Sequence, residues 1–290
     1  MKKLAFLVLV ALPALLRAQT DDFNDGNDTG WSRFNPIGVG SFSVANGAYR
    51  IRTGPSPDPI NFGPGRAGSL RTDVTYTDFY VTVDIVNWDT NVNQAFGLLA
   101  RCTEIGAGTT DGYAMTWDAG GRDLDISIFT NERPASVPGQ ANGPANIVPG
   151  RSYRMVFMGQ GIRLTGEIYE LPNLDTPLAS IAADSDRWPS GVNGLIVYDN
   201  SSAANGTTDT TFDNYFALSF KPPRLKIQAL DFGDMLISWP IEPTNYVLQA
   251  TSTLGVNWTD ITENIEERDG RRSYTDNLFS QDIRFYRLRP

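Results

Sequence analysis

The stretch DFYVTVDIVNW, residues 78–88, alternates strictly. Tyr80, Thr82, Asp84, Val86 and Trp88 fall on one side of an extended chain, and Val81, Val83, Ile85 and Asn87 fall on the other. A period of two with one apolar face is the pattern of a half-buried antiparallel strand. Outward from it the same kind of segment recurs in GSFSVANGAYRIRT, NQAFGLLARCT, DGYAMTWD, DLDISIFT, RSYRMVFMGQGIRLTGEIYE, NGLIVYD and TFDNYFALSF. Each is bounded by Gly, Pro, Asn or Asp, and helical periodicity is almost absent, so the fold class is all-β. Two hairpins can be placed. Asn46-Gly47 suits a type I′ turn, whose two central residues both need positive φ, and Gly159–Gly161 separates two further alternating runs.

Lys2 and Lys3 precede an apolar run from Leu4 to Leu16, which gives way to Arg17, Ala18 and Gln19. That layout predicts a signal peptide over 1–18 and a secreted or envelope-exterior protein. The run of about 13 residues falls short of the roughly 18–20 needed to span a bilayer, so no membrane span is expected. Cleavage would change the formal charge from −9 to about −12. Such acidity argues against nucleic acid as a partner. Cys102 is the only cysteine and histidine is absent, so no internal disulfide can form, and Ser-His-Asp, Cys-His and most zinc chemistry is excluded. Any reaction would run on carboxylates, tyrosines, arginines or an oxygen-held metal.

The composition changes at SFKPPRLKI, where Pro222 and Pro223 lack ladder donors. The expected organisation is a domain over 19–220, a linker over 221–224 and a domain over 225–290. The last contains six short β-runs, the spacing of a small immunoglobulin- or fibronectin III-like sandwich.

The segments DDFNDGNDTGW, ANGAYRI, GLLAR with DGYAMTWD, and TFDNYFA together resemble the concanavalin A-like (LamG-type) lectin and glucanase jelly rolls. The tail, with ISWP, YVLQATSTL, NWTDI and RFYRLR, is similar to fibronectin type III-like modules of exported bacterial proteins. The opening FNDGNDTGW is also similar to the sandwich domain of 3-keto-disaccharide hydrolases, without a catalytic residue that can be carried over. The first resemblance implies a jelly roll whose opening DDF strand pairs with the closing TFDNYFA strand. It also implies a structural calcium held by Asp22, the carbonyl of Gly47 and Asp213; the alternative is that Asp213 only turns a polar side chain out of an edge strand. The opening stretch is not an EF-hand-like loop, because counting from Asp22 puts Gly26 at position 5 and Arg33 at position 12. Its Asn and Asp density suits turns.

For sugar recognition, aromatic platforms and polar side chains are needed together. Arg101, Tyr113, Trp117, Asp123, Asp125 and Trp188 are the candidate ligand contacts. Tyr113 and Trp117 share a face with Met115, which also suits a core, and Trp188 is either an exposed platform or a staple over the core. Asp123 and Asp125 share a strand face at i, i+2, but the Glu-x-Asp-x-x-Glu pattern of laminarinase-like enzymes is missing. The expected function is non-catalytic binding of a glycan or extracellular matrix. The alternatives are a carbohydrate-active hydrolase or lyase and a structural adhesion protein.

Overall fold

The computed structural model describes residues 18–140, 143–219, 225–230, 234–241, 246–253, 257–277 and 284–289. The expected signal segment, apart from Ala18, and the expected 221–224 linker lie outside the described residues. The chain divides into two compact units, Met1–Phe220 and Lys221–Pro290. Among the described residues no helix is long and apolar enough to cross a membrane.

In the large unit the strands are β1 (Gln19–Asp21), β2 (Ser32–Phe34), β3 (Gly40–Ala45), β4 (Ala48–Thr53), β5 (Arg66–Tyr76), β6 (Phe79–Trp88), β7 (Gln94–Thr103) and β8 (Asp111–Asp118). They continue as β9 (Asp123–Thr130), β10 (Arg133–Ser136), β11 (Gly143–Pro144), β12 (Tyr153–Gln160), β13 (Arg163–Glu170), β14 (Ala179–Asp184), β15 (Gly191–Asp199) and β16 (Thr208–Ser219). Among the described residues one short helix, α1 (Pro59–Phe62), lies between β4 and β5. One sheet runs β14-β13-β12-β6-β16-β4-β3 with β1 joined to β16, and the other runs β10-β9-β8-β7-β15-β5-β2 with β11 joined to β9. All neighbours pair antiparallel, and consecutive sheet positions come from distant parts of the chain. This is an all-β jelly-roll sandwich.

The alternation of residues 78–88 places Val81, Val83 and Ile85 in the shared core with Tyr113, Met115, Trp117, Met155, Phe157, Leu195 and Val197. The pattern fails at its end. Thr211 lies opposite Asn87 and Phe212 opposite Ile85, so Val86 is an unpaired bulge residue. Trp88 is thereby turned inward to 6% exposure, with its ring centroid 6.0 Å from that of Trp117 and 5.9 Å from that of Phe96, rather than standing on the outer face.

Asn46 and Gly47 both have positive φ, 54° and 71°, giving the expected type I′ turn. The second hairpin turns slightly later than expected, at Gly161 (φ 56°) and Ile162, because Gly159 belongs to β12. A Cβ on Gly159 would come 2.2 Å from the Phe79 ring, so glycine serves packing there.

The opening β1 pairs with β16, Asp21 lying opposite Tyr215, as the resemblance implies. The polar stretch after it forms a run of Asx turns: Asp21, Asp22, Asp25 and Asn27 each accept the N–H two residues ahead. Asp21 also accepts the Trp31 indole N–H at 2.7 Å, and Trp31 meets Tyr215 edge-on at 4.7 Å.

The small unit contains β17 (Lys226–Ala229), β18 (Asp234–Pro240), β19 (Val247–Thr251), β20 (Thr259–Ile261), β21 (Ile265–Arg268), β22 (Arg271–Asn277) and β23 (Phe285–Arg289). A four-stranded sheet, β17-β18-β22-β21, and a three-stranded sheet, β20-β19-β23, enclose Ile237, Trp239 and Leu248. In this unit the strand that the sequence did not suggest is β21, joined to β22 by Asp269-Gly270 with both φ angles positive. Its segment IEER has one apolar residue and so no visible alternation.

Truncating a buried Trp to Ala removes its transfer energy and leaves a cavity. Trp88→Ala is expected to destabilise the large unit by about 3–5 kcal/mol, measured by denaturant unfolding. A loss under about 1 kcal/mol, the range of surface substitutions, would contradict the inward placement.

Candidate functional site

An antiparallel sheet with one buried face normally presents polar residues on the other. The outer face of the second sheet does not. Phe34 of β2, Leu70 of β5, Leu99 of β7, Ala114 of β8 and Ile196 of β15 form a second apolar cluster there, with Phe129 of β9 against it. Leu70 is fully buried and Leu99 is 3% exposed, so this is a recessed floor rather than an open surface. The floor belongs to a groove of about 410 Å³.

The sequence carries a signal for it. In β7, Phe96, Leu98 and Ala100 point to the core, while Ala95 and Leu99 line the groove. In β15, Leu195 and Val197 point to the core, while Ile196 and Tyr198 line the groove. Such continuous apolar runs, QAFGLLA and GLIVY, mark a strand covered on both sides. In a solvated antiparallel sheet that second cover must be a cleft, a ligand or a partner.

The rim is acidic. Asp118, Asp123, Asp125 and Glu132 line the groove against a single cation, Arg66. Asp118 lies directly opposite Asp123 across β8 and β9, and Asp125 opposite Thr116. Like charges facing each other across strands repel, and two of the three aspartates are satisfied by other partners. Asp118 accepts the N–H groups of Gly120 at 2.6 Å and Gly121 at 3.2 Å, and its other oxygen accepts from the Asn200 amide. Asp125 accepts from the Gln140 amide and, at 2.6 Å, from the Ser127 hydroxyl. Among the described residues Asp123 has no such side-chain partner. Burial, then the charges of Asp118 and Asp125, raise its carboxyl above the ordinary range. A Cβ on Gly121 would come 2.4 Å from its Oδ1, so glycine leaves the room that this carboxylate occupies.

Of the six expected ligand contacts, only Asp123 and Asp125 line this groove. Tyr113 and Trp117 are core residues, 0% and 3% exposed, because their strand face is the inner one. The Trp117 indole donates to the Ala145 carbonyl at 2.8 Å. Arg101 is also interior. It stands at positive φ beside a bulge in β7, and its guanidinium donates to the carbonyls of Thr77 (2.7 Å), Gly161 (2.9 Å) and Trp188 (3.2 Å). That makes it a clamp on three loops. Trp188 is half-buried, packed on the core and held through its N–H to the Tyr113 hydroxyl at 2.9 Å, so it is a staple. Sequence reasoning missed the apolar floor, Tyr198 and the Arg66–Glu132 pair.

The expected metal ligands belong to the other sheet and its loops: Asp22 follows β1, Gly47 is in the β3–β4 turn and Asp213 is in β16. Asp22 and Asp213 lie close enough to interact, and burial, then Asp84 and Asp22, push the Asp213 carboxyl upward. Asp84 has its own partners, a two-point bond from Arg154 at 2.6 and 2.8 Å and the Asn214 amide at 3.0 Å. The Asn24 amide oxygen is 2.5 Å from the point a Gly47 Cβ would take, which brings the Gly47 turn beside the Asp22 loop. Carboxylate, amide and carbonyl oxygens are the donor types that a hard divalent cation takes. Among the described residues no three His, Cys, Asp or Glu side chains converge.

If Asp118 holds up the Asp123 titration, Asp118→Asn, which keeps an acceptor oxygen for the turn, lowers the Asp123 midpoint in a carboxyl NMR titration. The folded state binds this proton more tightly than the unfolded state. Its stabilising effect is therefore full below the unfolded pKa and is lost as pH rises through the folded one. Asp123→Asn is accordingly expected to raise the melting temperature at pH 7 but not at pH 3; equal shifts at both would refute the repulsion.

No family model and no curated protein matches this chain. Among solved structures it is similar to the carbohydrate-binding module CBM66 from Bacillus subtilis, at 22% identity over 67% of this chain and 98% of that one, TM-score 0.48. It is likewise similar to lectin UEA-II complexed with galactose, at 13% identity over 70% and 98%, TM-score 0.46. The exoplasmic/lumenal domain of VIP36 in a Ca2+/Man3GlcNAc-bound form is similar at 12% identity over 71% and 90%, TM-score 0.48. Such likenesses carry no activity across; by its own strand order, the large unit is an antiparallel jelly-roll β-sandwich.

Proposed function

We propose that the groove on the outer face of the second sheet binds a glycan without transforming it, and that the protein does so outside the cytoplasm after removal of residues 1–18. The observation that carries this reading is the recessed apolar floor bordered by acceptor oxygens. The C–H face of a sugar ring loses water against Leu, Ile, Ala and Phe side chains, while its hydroxyls donate to carboxylates and amides. An excess of acceptors on the rim selects a neutral, hydroxyl-rich ligand and repels uronates or sulfated chains.

A hydrolase needs two working carboxylates no more than about 9.5 Å apart. The carboxylates that face each other across β8 and β9 are Asp118 and Asp123. Asp118 is fixed by the Gly120 and Gly121 N–H groups and the Asn200 amide as the anchor of a turn, which favours binding over catalysis. The reading also includes a calcium ion at Asp22, the Gly47 carbonyl and Asp213, remote from the groove and serving the fold. The tail acts as a fibronectin-type spacer.

The test is a glycan array and polysaccharide pull-down on residues 19–290, with product analysis of every ligand retained. Neutral glycans are expected to bind without products. Asp123→Ala and Tyr198→Ala should each weaken binding at least tenfold, about 1.4 kcal/mol. Release of oligosaccharides would overturn the non-catalytic reading, and retention of acidic chains alone would overturn the choice of ligand.

For the ion, calcium is expected to raise the melting temperature of the native protein, and a chelator to reverse the effect. Without calcium, Asp213→Asn removes a half-buried repelled carboxylate and should raise the melting temperature at pH 7. It should also abolish the calcium response. A calcium response that survives the substitution would remove Asp213 from the site.

A further inference from the structure

The groove does not end at its acidic rim. Arg66, Glu132, Pro134 and Tyr198 form a wall it shares with a second, wider cavity of about 1180 Å³. Glu132 holds an unusual place in that wall. It is the second residue of the two-residue turn between β9 and β10, where Asn131 and Glu132 have φ angles of 51° and 62°. Glycine meets that backbone requirement without strain, so a glutamate there points to a use for its side chain.

The side chain is 5% exposed and pairs with Arg66 at 2.6 Å. The same oxygen accepts the Gly108 N–H at 2.8 Å, and the other, Oε1, is buried with no partner among the described residues. Arg66 in turn donates through Nη1 to the carbonyls of Phe62 (2.7 Å) and Pro64 (3.1 Å), while its Nε is also buried without a partner. Two unsatisfied polar atoms thus sit within the wall between the cavities, closed off from both.

Beyond the wall the character changes. Pro36, Ile37, Ile60, Phe62 and Pro64 line the second cavity, with Ile60 95% and Phe62 53% exposed. These side chains stand on a fixed backbone. The Asp58 side chain caps α1 at the Asn61 N–H, the Phe62 N–H bonds the Asp58 carbonyl at 2.8 Å, and Arg66 holds the segment to Glu132. An apolar ledge held rigid beside a polar groove matches a ligand that is polar at one end and apolar at the other.

We propose that the preferred ligand is a neutral glycan bearing an apolar aryl or acyl substituent. The sugar lies in the groove against Tyr198, and the substituent crosses the shared wall to cover Ile60 and Phe62. This inference rests on the groove being a glycan site.

Calorimetric titration of residues 19–290 with paired methyl and phenyl glycosides of glucose, galactose, mannose and xylose tests it. For the sugar that binds, the phenyl glycoside is expected to bind at least tenfold tighter than the methyl one. The double variant Ile60→Ser, Phe62→Ser should abolish that gain and leave methyl glycoside affinity unchanged. Equal affinities in the native protein, or a gain that persists in the variant, would overturn the ledge and leave the groove reading standing. Failure of every glycoside to bind would overturn both. Loss of a dimer in the variant, seen by sedimentation, would reassign the ledge to contact between copies and overturn the proposal.

Discussion

The inner face of the second sheet fixes everything on its outer face. Side chains along a strand alternate, so once Tyr113, Met115 and Trp117 are committed to the core, Ala114, Thr116 and Asp118 have no choice of direction. The same holds for β9, where Leu124 and Ile126 point in while Asp123, Asp125 and Ser127 point out. The large aromatic residues are thus not ligand contacts but the weights that hold the ligand face in register. A slip of one residue would put Trp117 on the rim and Asp118 in the core, at a cost no sheet of this size could absorb.

Stability without a disulfide comes from a comparable economy at the chain entry. Phe23, Trp31, Tyr49 and Tyr215 form a packed aromatic group, with Phe23 stacked on Tyr49 at 5.1 Å. Acidic side chains meet the polar atoms of these rings. Asp21 takes the Trp31 N–H, and Asp28 takes the Tyr49 hydroxyl at 3.0 Å while also bonding Arg33. Burial raises the Tyr49 hydroxyl well above its ordinary range, so it stays a donor at any physiological pH. The polar opening stretch is therefore a set of turns and caps around an aromatic seal.

Much of the fold was legible because it rests on local chemistry: alternation in β6, the Asn46-Gly47 turn, and the two faces of β8. The misplacement of Trp88 and Arg101 has one cause. Bulges at Val86 and near Asn214 and Arg101 change the phase of a strand, and no residue type signals them in advance. Trp88 and Arg101 were placed by uninterrupted alternation or by their chemistry alone and proved to be interior. The groove floor was legible in principle, since QAFGLLA is apolar on both faces, but a doubly apolar strand also describes a fully buried one. Glu132 could not be found from sequence, because its position depends on a turn that ordinarily favours glycine.

One feature of the first sheet bears on how the molecule is made. Its strand β16 is the last of the large unit, yet it is bonded to β6, β4 and the opening β1. During synthesis the chain must therefore hold β3 and β4 apart from β6, β12, β13 and β14 until the final dozen residues arrive to join them. Contacts of such long sequence separation form late and slowly. Until residue 219 has emerged, both fragments of the sheet have open edges. The first sheet is consequently closed by its last strand rather than built up strand by strand along the chain.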